Sequence, residues 1–193
     1  MSEHAAKPGR YFLAAFLLIF GVLIADQASK WFVLESMLRT KSTGPDFWTW
    51  FTTAAPLPFF IDQMEEYKTV TFTPWLDFHM VWNRGVSFGM FDSDNPKLPL
   101  LFACLSLFVA MGLFVWMAIA RGRMLLVALP LIIGGALGNV CDRVRFGAVA
   151  DFIDVHVGNR HWPAFNVADA CICIGAGLLI VHALLDNNEK KTP

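Results

Sequence analysis

Four long apolar stretches decide what this chain can become: Tyr11–Ala25, Leu98–Ala120, Met124–Val140 and Val167–Leu185. A helix needs about 20 apolar residues to cross the hydrocarbon core of a bilayer. No water is present there to satisfy open backbone groups, so a spanning segment is a helix or part of a closed barrel. The first stretch resumes after Asp26-Gln27-Ala28-Ser29-Lys30 with Trp31-Phe32-Val33-Leu34, which predicts a helix over about 11–34. The other three predict helices over about 98–120, 124–144 and 166–185. With 56% hydrophobic residues and a mean hydropathy of +0.52, the chain is too apolar for an ordinary soluble domain. The expected fold is an all-α membrane protein, residues 1–193 as one membrane domain, with an insertion at about 35–97 between helices one and two. Leu23-Ile24-Ala25 lacks the small-x-small pattern of a cleavage site, so the first helix is expected to stay in the protein.

Basic residues in short loops set orientation. Lys7 and Arg10, Arg121 and Arg123, and Lys190 and Lys191 mark three cytoplasmic ends, which places both termini inside. Trp31, Trp48, Trp50, Trp75, Trp82 and Trp162 then fall on the outer side, where amphipathic rings suit the interface. Within the insertion, Trp75–Trp82 alternates with period two and reads as a strand, and Thr69–Thr73 offers a second. A small periplasmic sheet is expected there. Phe47-Trp48-Thr49-Trp50-Phe51 and Phe59-Phe60 read as segments lying on the lipid surface. The net charge of −1 argues against a nucleic-acid partner. Cys104, Cys141, Cys171 and Cys173 lie in or beside apolar runs without metal-ligand spacing, so they read as small buried hydrophobes. The five histidines are scattered and read as surface or packing residues.

The polar residues inside these runs carry the functional signal, because ionisable groups beside hydrocarbon are costly. Asp26 and Lys30 share one face of helix one, about 22 Å from its cytoplasmic start. Asn139 lies about 22 Å up helix three, with Asp142 three residues on, beside Arg143. These charges could equally form a structural network. Asp151 and Asp169 differ. On one continuous helix, 18 residues would hold them about 27 Å apart. Gly158-Asn159 and Trp162-Pro163 are turn signals, however, and Asn166 is a credible N-cap for the last helix. A turn would bring the two acids together in partly dry surroundings, where two carboxyls share one proton. One could then take a proton from water while the other polarises a peptide carbonyl. Asp154 is a rival partner for the pair.

Four stretches together resemble one family, the bacterial lipoprotein signal peptidases (signal peptidase II). They are Asp26-Gln27-Ala28-Ser29-Lys30; Asn83-Arg84-Gly85-Val86-Ser87-Phe88; Gly138-Asn139-Val140-Cys141-Asp142-Arg143 with Gly147-Ala148-Val149-Ala150-Asp151-Phe152-Ile153; and Phe165-Asn166-Val167-Ala168-Asp169-Ala170. The resemblance implies a four-helix aspartyl endopeptidase of the inner membrane. Its active site would lie near the periplasmic face, and it would need no cofactor and no metal. Its partners would be diacylglyceryl-modified prolipoproteins, cut just before the lipidated cysteine, and membrane lipid, with globomycin-type cyclic peptides as inhibitors. One chain would be active as a monomer. By motif, Asp151 and Asp169 would be catalytic. Asn83, Asn139, Arg143 and Asn166 would line the substrate site, and Asp26, Lys30 and Asp142 would support it. The chain departs from the pattern between Glu35 and Phe78, where its connection is longer.

Three other readings stand beside this one. A proton- or ion-coupled transporter also needs intramembrane acids. A metal-dependent phosphotransferase could use Asp142, Asp151, Asp154 and Asp169. A non-catalytic membrane subunit would use none of them.

Overall fold

The computed structural model describes residues 8–40, 44–53, 67–85, 97–120 and 122–189. Four helices are long and apolar enough to cross a membrane: α1 (Pro8–Trp31), α3 (Leu98–Ile119), α4 (Leu125–Phe146) and α5 (Val167–Glu189). The first span runs on through a π-helical segment, Phe32–Leu38, which carries it to Leu38. A six-residue helix, α2 (Phe47–Thr52), follows, capped by Asp46, whose carboxylate accepts from the backbone N–H of Trp48 and Thr49. Among the residues assigned to the surface, α2 turns Trp48 outward and buries Trp50. Phe59-Phe60 lie outside the described residues, as do Lys7, Arg121, Lys190 and Lys191.

The helix at the centre is α4. It packs against α1, α3 and α5, and of the four spans it alone is more than half buried. Small residues permit the close approach. A Cβ on Gly138 would sit 2.5 Å from Asp26 Oδ2 of α1, and one on Gly135 would collide with the Ala168 carbonyl of α5. The other helices leave Leu17, Phe20, Phe108, Val115 and Ile180 exposed, as lipid-facing surfaces require.

Beyond the helix ends lies an antiparallel sheet in the order β1 (Val70–Thr73), β2 (Leu76–Asn83), β3 (Val149–Val157), β4 (Arg160–His161). The two strands expected from the insertion are present. Half of the sheet comes from elsewhere: β3 and β4 occupy the segment between α4 and α5, which carried no strand expectation. The β3–β4 turn uses Gly158 at φ 58. Under the sheet, Trp50, Trp82, Phe146 and Phe152 form an aromatic core with Leu34 and Leu38, so α2, the π-helical segment, the end of α4 and the sheet share one interior. The Arg145 guanidinium stacks 4.2 Å from both the Trp50 and Phe146 rings and donates to the Trp50 carbonyl at 2.5 Å. The free cysteines are exposed (Cys104, Cys173) or partly buried (Cys141, Cys171).

Gly138→Ala should destabilise the protein by about 1–3 kcal/mol, because Asp26 is held on three sides and cannot yield. A lowered thermal midpoint in detergent is expected. An unchanged midpoint would mean that α1 and α4 are less closely fitted than the structure shows.

Candidate active site

The local sequence between α4 and α5 explains how two distant acids approach one another. Gly147, at φ 71, ends α4, and the chain turns back as β3. The β3–β4 hairpin then returns it, and Phe165 bridges to Ile153: the Phe165 carbonyl accepts from the N–H of Phe152 (3.1 Å) and Ile153 (2.9 Å). That bridge sets Asn166, the residue before α5, beside Asp151. Asn166 and Asp169 form a reciprocal cap on α5. The Asp169 N–H donates to Asn166 Oδ1 at 2.9 Å, and the Asn166 N–H donates to Asp169 Oδ2 at 3.3 Å.

Asparagine amides link the two carboxyls. Asp151 accepts from Asn83 Nδ2 at 3.0 Å and from Asn166 Nδ2 at 2.7 Å. Asn166 Nδ2 also donates to Asn139 Oδ1 at 3.2 Å, and Asn139 Nδ2 donates to Asp169 Oδ1 at 2.8 Å. Asp151 is 1% exposed, whereas Asp169 is only partly buried. Burial pushes the Asp151 carboxyl from 3.8 up to about 8, and the nearby Asp169 charge adds to the rise. The Asn83 and Asn166 hydrogen bonds and the Lys30 charge oppose it without overcoming the cost of desolvation.

A second buried network lies behind this one. Lys30 Nζ sits 2.8 Å from Asp26 Oδ2 and 2.6 Å from Asp142 Oδ2, with all three side chains fully buried. Gln27 Nε2 donates to both aspartates, at 3.0 and 2.9 Å. The aspartates in turn hold backbone. Asp142 Oδ2 accepts the Ala150 N–H at 3.1 Å, and Asp26 Oδ1 accepts the Ala168 N–H at 3.0 Å. Ala150 precedes Asp151 and Ala168 precedes Asp169, so one ammonium fixes the backbone next to each acid. Asp142 therefore pairs with Lys30, not with its sequence neighbour Arg143. Arg143 reaches across to the Gly85 carbonyl at 3.0 Å, and its Nε is buried with no partner among the described residues.

All nine residues singled out in the sequence thus lie in or beside one region, and Asn83, Asn139 and Asn166 are engaged with the acids themselves. Val86-Ser87-Phe88 lie outside the described residues. The sequence reading missed a group on the sheet. Asp154 bonds His161 Nδ1 at 2.8 Å and lies 3.5 Å from His79 Nδ1, while His156 stacks on His161. His79 is far from Asp154, His156 and His161 in sequence and meets them only through strand pairing. The alternation Asp77-x-His79 against Asp154-x-His156 was the available signal. Among the described residues, no three His, Cys, Asp or Glu side chains converge as ligands of one metal ion.

Two cavities flank the acids. One, of about 520 Å³, is lined by Asp151, Asn83, Asp154, His79 and His161. The other, of about 300 Å³, is lined by Asp169, Phe165, Ile172 and Cys173 and is mostly apolar. Trp162 and Ala164 line both.

Comparison with known proteins decides the family. The model of the family described as signal peptidase (SPase) II matches residues 18–185. The chain belongs to the signal peptidase II family. The lipoprotein signal peptidase of Coxiella burnetii is 38% identical over 165 residues, covering 80% of this chain and 99% of that protein. That of Methylobacterium radiotolerans is 48% identical over 117 residues, covering 61% of this chain and 68% of that protein. A solved structure of a bacterial membrane enzyme superposes with a TM-score of 0.67 at 26% identity, covering 93% of each chain. A signal peptidase II assignment makes this chain a multi-pass membrane peptidase and leaves the transporter reading without support.

Lys30→Met leaves Asp26 and Asp142 buried without their cation, at an expected cost of about 3–5 kcal/mol. Amide exchange at Ala150 and Ala168 should quicken together. Stability and exchange unchanged from wild type would show that the network does not hold the acids.

Proposed function

We propose that this chain removes signal peptides from diacylglyceryl-modified prolipoproteins, cutting before the lipidated cysteine, with Asp151 and Asp169 as an aspartyl pair. The observation that carries the reading is the unequal setting of two linked carboxyls. Asp151 is dry and holds its proton to about pH 8. Asp169 sits in the first turn of α5, where negative charge is best accommodated.

The chemistry follows from that asymmetry. Asp169 takes a proton from water as the water oxygen attacks the peptide carbonyl carbon. Asp151 gives its proton to the carbonyl oxygen, and a neutral tetrahedral diol forms. On collapse, the C–N bond breaks, the proton on Asp169 passes to the leaving nitrogen, and one diol proton returns to Asp151. Both acids end as they began, and no cofactor enters. Asn83, Asn139 and Asn166 fix the carboxyls, and on this reading Arg143, whose Nε has no partner among the described residues, offers a donor to the substrate backbone.

The two cavities support the same reading. The apolar one beside Asp169 suits the lipidated, membrane-embedded part of a precursor. The one beside Asp151, with more polar groups in its lining, suits polypeptide leaving the bilayer. On this reading the site lies near the periplasmic face of the inner membrane, with both termini cytoplasmic. Every group named comes from one chain, which supports action as a monomer. A cyclic peptide of the globomycin type would compete for the same cleft.

Asp151→Asn and Asp169→Asn should each lower cleavage of a lipidated precursor by about 10²–10⁴-fold or more while the protein stays folded, and a chelator should change nothing. Near-normal turnover by either variant would exclude the pair.

The pH dependence has a definite sign. Below about 8 Asp151 keeps the proton that the reaction requires, and above it that proton is lost. Turnover should therefore fall as pH rises through about 8. A rate that stays flat well above this value would contradict the assignment.

A further inference from the structure

The cavity that contains Asp151 holds a second acid that the mechanism does not use. Asp154 is 4% exposed, and its Oδ2 takes both histidine contacts. Its Oδ1 is buried with no partner among the described residues. A buried carboxylate oxygen accepts hydrogen bonds and has nothing of its own to donate, and leaving it unmet costs about 1–3 kcal/mol. His79 and His161 line the cavity on either side of it.

Its position relative to the reacting acid is unusual for a strand. Residues three apart on a regular strand point to opposite faces. The β2–β3 register slips between Phe78 and Val81, where His79 and Met80 together oppose Phe152. The extra residue lies on β2, bending that strand and increasing the local twist. Asp151 and Asp154, although of opposite parity on β3, line one cavity, about 10 Å apart along the strand at its usual rise.

We propose that Asp154, held between His79 and His161, is a specificity site for the mature side of the substrate. It would accept a hydrogen bond from a donor side chain, an amide or ammonium, at the second residue after the lipidated cysteine. The distance sets the position, since an extended peptide advances about 3.3 Å per residue, so three residues reach from the cut to Asp154. The direction follows from polarity. The lipid and the apolar signal segment stay on the α5 side, and only the chain beyond the cysteine leaves the bilayer toward the sheet. This inference rests on the peptidase reading above and adds a preference to it.

The test uses the full-length enzyme in lipid nanodiscs and four lipidated precursor peptides. They differ only at that residue: Lys, Gln, Leu or Glu. The wild type should cleave the Lys and Gln peptides with kcat/KM about tenfold or more above the Glu peptide, the difference lying mainly in KM, with Leu between them. Asp154→Asn presents a donor as well as an acceptor, so the ratio between Lys and Glu peptides should collapse to within about threefold. Ratios within one enzyme are insensitive to how much of it is folded. Equal kcat/KM across the four peptides in the wild type would overturn the proposal even if the variant could not be purified, as would an unchanged ranking in Asp154→Asn. Failure to cleave any of the four would instead count against the peptidase mechanism itself.

Discussion

One buried ammonium organises this protein. Lys30 lies between Asp26 and Asp142 with no solvent contact. Each of these charges is costly to bury, and their mutual attraction offsets the cost only because the remaining oxygens are also satisfied. What satisfies them is the backbone of Ala150 and Ala168. The network thus joins α1 and α4 to the two segments that carry Asp151 and Asp169. A hydrophobic substitute of the same volume could pack there, but it could not hold those two N–H groups. Gln27 and Arg145 extend the tie outward to α2 through the Trp50 carbonyl. Helix α2, in the connection between α1 and α3, is in this way fastened to the same centre.

The acids then differ because their surroundings differ. Asp151 belongs to a strand packed against aromatic side chains, and Asp169 to the start of a helix. Asn139 and Asn166 connect them through their side-chain amides. A lipidated substrate cannot leave the bilayer, and a hydrolytic site cannot work without water. On the proposed reading, a pair of carboxyls where helix ends meet a sheet satisfies both conditions. A pair at mid-membrane would satisfy only the first.

The helices were legible because long apolar runs leave few alternatives. Strands β1 and β2 were legible because the sequence alternates with period two through Trp75–Trp82 and β-branched residues fill Thr69–Thr71. Strand β3 was not, for a physical reason. Val149–Asp154 is buried almost throughout, so no solvent-facing period marks it. The pairing of Asp142 was misleading for a similar reason. Arg143 is adjacent in sequence, but neighbours on a helix point apart. Lys30, on another helix, is the residue that reaches it. The π-helical segment Phe32–Leu38 has no sequence signature, and the histidine group depends on strand register that no single segment encodes. The capping role of Asn166 was visible from its type and place. That it also bonds Asp151 was not.

The central claim is that one proton resides on a carboxyl pair and that Asp151 holds it at neutral pH. Infrared difference spectroscopy of the full-length protein in lipid tests this most directly, through the carbonyl stretch of protonated carboxyl groups. At pH 7 the wild type should show a protonated-carboxyl band that is missing in Asp151→Asn and that titrates away near pH 8. A wild-type spectrum at pH 7 indistinguishable in that region from the Asp151→Asn spectrum would contradict the account.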